Sequence, residues 1–148
     1  MIAVLAGDTA GRERYVGELR ALAEQLGVTD RLRFAGHVSD MPAAMLAANL
    51  VVHASTEPEA FGRTVTEAQA LGRPIIASDL GGPRETIEDG VTGWLTPPGD
   101  VAALSATIAR VLAMPAESLR AVGEAARQRV PTLEAMQAQT LAVYRELL

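Results

Sequence analysis

Two glutamates, Glu59 and Glu67, bracket a glycine in the run EAFGRTVTEAQALGRPIIAS at residues 59–78. If a helix starts at Gly62, the amides of Gly62, Arg63, Thr64 and Val65 lack intrahelical acceptors and point at whatever lies above the helix start. A diphosphate would satisfy them, with the helix dipole adding roughly 0.3 to 1 kcal/mol for a charge at an exposed terminus. Glu67 lies about 7.5 Å farther along the axis at a rise of ~1.5 Å per residue, on the face shared with Arg63 and Thr64. Its carboxylate could accept both hydroxyls of a ribose. Glu59 precedes the helix and so stands on the other side of the phosphate position, where a sugar would project its own hydroxyls. The two acids would grip the two ends of one nucleotide sugar.

Plainer chemistry competes with this reading. Glutamates around a helix start are most often a solvated first turn, because surface Glu is common. A glycosidase acid pair is the second competitor, but it needs two carboxyls facing each other across a scissile bond, about 5 to 10 Å apart. One local loop and helix fits that geometry poorly.

The elements that must position these residues follow from periodicity. Ahead of Glu59, VVHASTEP is an apolar run ending in small polar residues, and RPIIAS is a short buried strand bounded by turn signals. The unit is strand, loop, helix, strand. In an open parallel sheet ligands gather at the carboxyl ends of strands, which puts residues 55–62 where a binding loop should be. Strands are expected at 2–5, 32–34, 50–53, 75–77 and 93–95. Leu19, Leu22 and Leu26 repeat at helical spacing, as do Val101, Leu104, Ile108 and Val111, so each set offers an apolar stripe to a sheet. Met114 and Pro115 mark a helix end. A helix at 117–129 follows, then Pro131 as punctuation and a last helix carrying Leu133, Met136, Leu141, Tyr144 and Leu148. Strand alternating with helix implies an α/β fold, a Rossmann-like, doubly wound parallel sheet with C-terminal helices. At 148 residues and 49% hydrophobic, with few aromatics, the chain reads as one domain over residues 1–148 with an Ala, Val and Leu core.

Composition excludes several chemistries. With no Cys there is neither a disulfide framework nor thiol chemistry. No His or Cys cluster has ligand spacing and no D-x-D precedes a strand end, so no metal site is expected. The apolar run in MIAVLAGDTAG is too short for a signal peptide, and nothing approaches a membrane span. Thirteen basic against eighteen acidic residues give a net charge of −5, which disfavours nucleic acid and a polybasic grip on anionic lipid.

The string EAFGRTVTEAQALGRPIIASDLGGPRETIEDGVTGWLTPPGD resembles the donor-binding, C-terminal half of retaining GT-B glycosyltransferases, the family 4 (group 1) class that includes lipopolysaccharide-core and mannosyl transferases. GDTAGRERYVGELRALAEQLG, RLRFAGHVSDMPAAMLAANLVVHAS and TLEAMQAQTLAVYRELL resemble the same domain in the same order. The resemblance implies that Glu59 contacts donor-sugar hydroxyls as the catalytic-site acid, that the backbone of Ala60, Phe61 and Gly62 approaches that sugar, and that the amides of Arg63 and Thr64 bind the distal phosphate. Glu67 would hold the ribose, and Gly36, His37 and Val38 would form the base loop. It implies no cofactor, the nucleoside diphosphate sugar being the donor substrate. His53 ends a strand immediately before the site, where a histidine is more often packed and hydrogen-bonded than catalytic. Gly81, Gly82 and Glu85 resemble the family's G-G-x-x-E turn, whose glycines allow positive φ or close backbone approach. Trp94 is expected to pack at the sheet edge rather than stack a base.

Against that family the chain is expected to be a fragment: the acceptor-binding domain and the first strand and helix of the donor domain, with their phosphate-neutralising Arg and Lys, have no counterpart here. The activity implied for the full-length parent is transfer of a sugar to an acceptor hydroxyl with retention, in polysaccharide or glycolipid synthesis, the acceptor glycan or glycolipid being held by the other domain. The isolated chain is expected to be inactive. Exposed sheet edges would invite self-association. The implied location is cytoplasmic, peripheral at the inner membrane face in the parent. A non-catalytic nucleotide-binding remnant and a nucleotide-sugar epimerase of the same architecture stand as alternatives.

Overall fold

The computed structural model describes residues 1–147, and Leu148 of the expected last helix lies outside them. In chain order the elements are β1 (Ala3–Ala6), α1 (Glu13–Gln25), a 3₁₀ turn (Thr29–Arg31), β2 (Leu32–Gly36), α2 (Met41–Ala47), β3 (Val51–His53), α3 (Arg63–Ala70), β4 (Ile75–Ser78), α4 (Pro83–Thr86), β5 (Trp94–Thr96), α5 (Val101–Leu112), α6 (Ala116–Arg129) and α7 (Leu133–Glu146). All five expected strands are present, each shifted, extended or shortened by a residue or two. The chain forms two compact units that divide within α2, the first ending at Ala44 and the second beginning at Met45.

In the first unit β1 and β2 pair in parallel, Ala3 opposite Leu32 and Leu5 opposite Phe34, with a register shift before Ala6 meets Gly36. The expected stripe on α1 is corrected here. Leu22 and Leu26 are 49% and 65% exposed, and Ala23 is the helix's buried residue. Two short strands offer α1 little surface to cover.

The second unit is built on the parallel sheet β3-β4-β5, with Val51 opposite Ile75, His53 opposite Ala77, and Ile76 opposite Trp94. β4 is IIAS, buried at every position, as a central strand covered on both faces must be. Ile76, Trp94 and Val111 form one buried core cluster, with Leu104 and Ile108 of α5 and Leu119 and Val122 of α6 packed against it. Trp94 thus sits on the edge strand, as expected, with its ring turned into the core at 2% exposure. Asp100 starts α5 by accepting a hydrogen bond from the Ala103 amide at 2.9 Å.

The helix α6 fixes the far end of α3. A Cβ at Gly123 would collide with the carbonyl oxygen of Gly72 and lie 2.8 Å from its carbonyl carbon. Glycine inside a helix costs about 1 kcal/mol relative to Ala. At Gly123 that cost lets the α6 backbone rest on the turn that ends α3. Because the strands run parallel, the loops after β3 and β4 leave the sheet at the same end.

Candidate nucleotide-sugar site

The loop between β3 and α3 is anchored through its backbone. The Gly82 amide donates to the Glu59 carbonyl at 2.9 Å. A Cβ on Gly81 would collide with that same carbonyl oxygen, and one on Gly82 would lie 2.5 Å from the carbonyl carbon and oxygen of Phe61. Gly81 also has φ of +64°, a conformation in which only glycine is unstrained. The DLGG turn after β4 is therefore the bed on which residues 59–61 lie. The sequence had marked these glycines for close approach or positive φ, and Gly81 supplies both.

Gly62 adopts a left-handed conformation, φ 69° and ψ 53°, and α3 begins at Arg63 rather than at Gly62. This corrects the set of free amides. The Val65 amide donates to the Gly62 carbonyl at 2.9 Å and is not available to a ligand. The amides of Arg63 and Thr64 have no acceptor among the described residues. Two adjacent donors at the positive end of a helix dipole favour an anionic oxygen. Beneath them Val65 and Ala68 are fully buried, and Gln69 donates to the Thr86 carbonyl at 2.9 Å. These contacts hold α3 to the sheet and to α4.

The acids flank this helix start. Glu67 is one turn into α3, half exposed, with Oε1 3.4 Å from Nη2 of Arg63. An exposed i,i+4 pair contributes about 0.3 to 0.5 kcal/mol, so it would yield readily to a ligand hydroxyl. Glu59 is also half exposed, and its Oε1 lies 3.1 Å from Nε2 of His53 at the end of β3. That contact was not foreseen. A histidine six positions ahead of an acid, across a loop, carries no periodic signal. Ala60 and Phe61 are exposed, Phe61 at 62% although an isolated Phe is usually core. Arg63 turns its head to solvent and offers the loop only its amide. Glu85 lies exposed in the first turn of α4, where Arg84 pairs with Asp79 at 2.7 Å.

The expected base loop belongs to the first unit. Gly36 ends β2 with φ of +67°, His37 is exposed and Val38 half-buried. Among the described residues no three His, Cys, Asp or Glu side chains gather as metal ligands, and no helix is long and apolar enough to cross a membrane.

The chain is similar to known proteins in sequence and in fold. Residues 2–129 match the family model described as glycosyl transferases group 1. A D-inositol 3-phosphate glycosyltransferase of Kribbella flavida is 33% identical across 98% of this chain and 35% of its own length. That of Mycobacterium avium is 38% identical over 87% of the chain and 31% of its own. The chain thus spans about a third of the length of these curated relatives. Among solved structures, HepE of Anabaena in complex with UDP superposes with a TM-score of 0.87 at 35% identity, covering 97% of this chain and 41% of that one. WaaG, a glycosyltransferase involved in lipopolysaccharide biosynthesis, shares the fold at 24% identity and a TM-score of 0.71, over 90% of this chain and 35% of its own. The family match runs through both units and the whole EAFG-to-GGPRE segment, so the chain belongs to the group 1 glycosyltransferases and carries the Rossmann-like α/β architecture of the GT-B fold.

Proposed function

We propose that this chain binds a nucleoside diphosphate sugar and that the full-length protein transfers the sugar to an acceptor hydroxyl with retention of anomeric configuration, in the synthesis of cell-surface polysaccharide or glycolipid. One observation carries the reading: a left-handed Gly62 opens α3 with the Arg63 and Thr64 amides unpartnered among the described residues, between an acid ahead of the helix and an acid one turn into it. The solved structures of HepE with UDP and with UDP-glucose, 35% and 36% identical to this chain, support the same ligand class.

In this reading the two amides hold the distal phosphate. As the glycosidic bond breaks, negative charge grows on that phosphate and positive charge on the sugar ring. Fixed donors aimed at the growing charge lower the barrier without having to reorganise. Glu59 orients the sugar through its hydroxyls, and Glu67 receives the ribose. The backbone of Ala60, Phe61 and Gly62 lines the sugar, and the donor is a substrate, with no further cofactor assigned.

The experiment is stereochemical. The full-length protein is given UDP-glucose or another nucleotide sugar that raises its melting temperature, with an acceptor glycan, and the new linkage is read by proton NMR. The same anomer as in the donor is expected. An inverted product would overturn the proposal.

A further inference from the structure

We propose that His53 is a positioning residue that fixes the carboxylate of Glu59 for the sugar. The proposal rests on the reading of Glu59 as the sugar-end acid and adds a residue to it. The imidazole closes β3, opposite Ala77 of buried β4, and its side chain is 12% exposed. Its Nε2 lies 3.1 Å from Oε1 of Glu59. Its Nδ1 is buried and has no partner among the described residues.

These two facts fix the direction of the hydrogen bond. With the proton on Nε2, the ring donates to Oε1 and leaves a bare lone pair at Nδ1. The opposite tautomer would set a lone pair against a carboxylate and bury an unpaired N–H, which native structures rarely tolerate. An apolar side chain of similar volume would avoid the orphaned nitrogen altogether, so packing alone gives the imidazole no advantage. What it adds is a donor of fixed direction.

The consequence falls on Glu59. Its backbone is held by Gly81 and Gly82, and His53 now holds the end of its side chain. Oε1 is committed, while Oε2 has no protein partner among the described residues and is left for a sugar hydroxyl. A free glutamate must lose rotamer freedom when it binds, which weakens affinity. Here much of that freedom is lost before the ligand arrives.

The test uses the full-length protein and four variants, His53→Leu, His53→Gln, Glu59→Ala and the double variant His53→Leu/Glu59→Ala, with UDP-glucose and UDP titrated by calorimetry. Gln can present an amide N–H near the position of Nε2, and Leu cannot. His53→Leu is expected to weaken UDP-glucose about tenfold and UDP by less than twofold, His53→Gln to recover most of the loss, and His53→Leu to have no further effect once Glu59 is Ala. Equal losses for UDP and UDP-glucose, or additive losses in the double variant, would reduce His53 to a packing residue and overturn the inference. So would wild-type binding by His53→Leu while Glu59→Ala is impaired, an outcome that leaves the reading of the site standing. Unimpaired UDP-glucose binding by Glu59→Ala would overturn the reading of the site and the inference with it.

Discussion

In the proposed function Glu67 holds the nucleotide end of the ligand, and its one partner among the described residues is the exposed guanidinium of Arg63, 3.4 Å away. Replacing it by Gln keeps the shape and removes the charge that strengthens a hydrogen bond to a ribose hydroxyl. Glu67→Gln should therefore cost about 1.5 to 3 kcal/mol of affinity for a free nucleoside diphosphate. The melting temperature should change little, because the side chain is half exposed and its pair with Arg63 is a surface one. Calorimetry checks the first statement and a thermal scan the second; full affinity in a folded variant would remove Glu67 from the site. Type and spacing single out Glu59 and Glu67 in the sequence, and the structure sets one ahead of α3 and the other one turn into it. His53 was noticed in the sequence as a strand-end histidine, yet its link to Glu59 was invisible, since it depends on how a loop folds back over β3.

Two glycines hold the site through close backbone contact, Gly82 just ahead of α4 and Gly123 within α6. Gly82 has ordinary helical angles, φ −51° and ψ −37°, so Gly82→Ala introduces no backbone strain and only the Cβ against the Phe61 carbonyl group. Overpacking of this kind costs about 1 to 3 kcal/mol. We expect Gly82→Ala to lower stability by that order and also to reduce nucleotide-sugar affinity, because the loop that yields is the one bearing Glu59. Gly123→Ala should destabilise too, its steric penalty partly offset by about 1 kcal/mol of helix propensity. Its damage falls at the far end of α3, so its effect on ligand affinity should be the smaller of the two. Denaturant melts paired with calorimetry separate the variants, and a Gly82→Ala protein with native stability and native affinity would contradict the packing argument. Strand positions were legible because apolar runs bounded by turn residues leave few choices. The start of α3 was misplaced by one residue, since no pattern announces that Gly62 turns left-handed and its carbonyl takes the Val65 amide. Nor could periodicity show that Leu22 and Leu26 stay exposed, because an apolar stripe marks a face without saying whether a sheet is wide enough to cover it.

At the scale of the molecule, the second unit is a parallel sheet whose carboxyl end carries the loops of the proposed donor site, and the family assignment spans residues 2–129. The central claim is that two acids read opposite ends of one ligand, with a helix start between them. Calorimetry on Glu59→Ala and Glu67→Gln in the full-length protein, each titrated with a nucleotide sugar and with its free nucleoside diphosphate, tests this most directly. The account predicts that Glu59→Ala weakens the nucleotide sugar and spares the free diphosphate, while Glu67→Gln weakens both to the same degree. If Glu59→Ala lost equally on both ligands, or if Glu67→Gln spared the free diphosphate, the two acids would not divide the ligand between them and the account would be wrong.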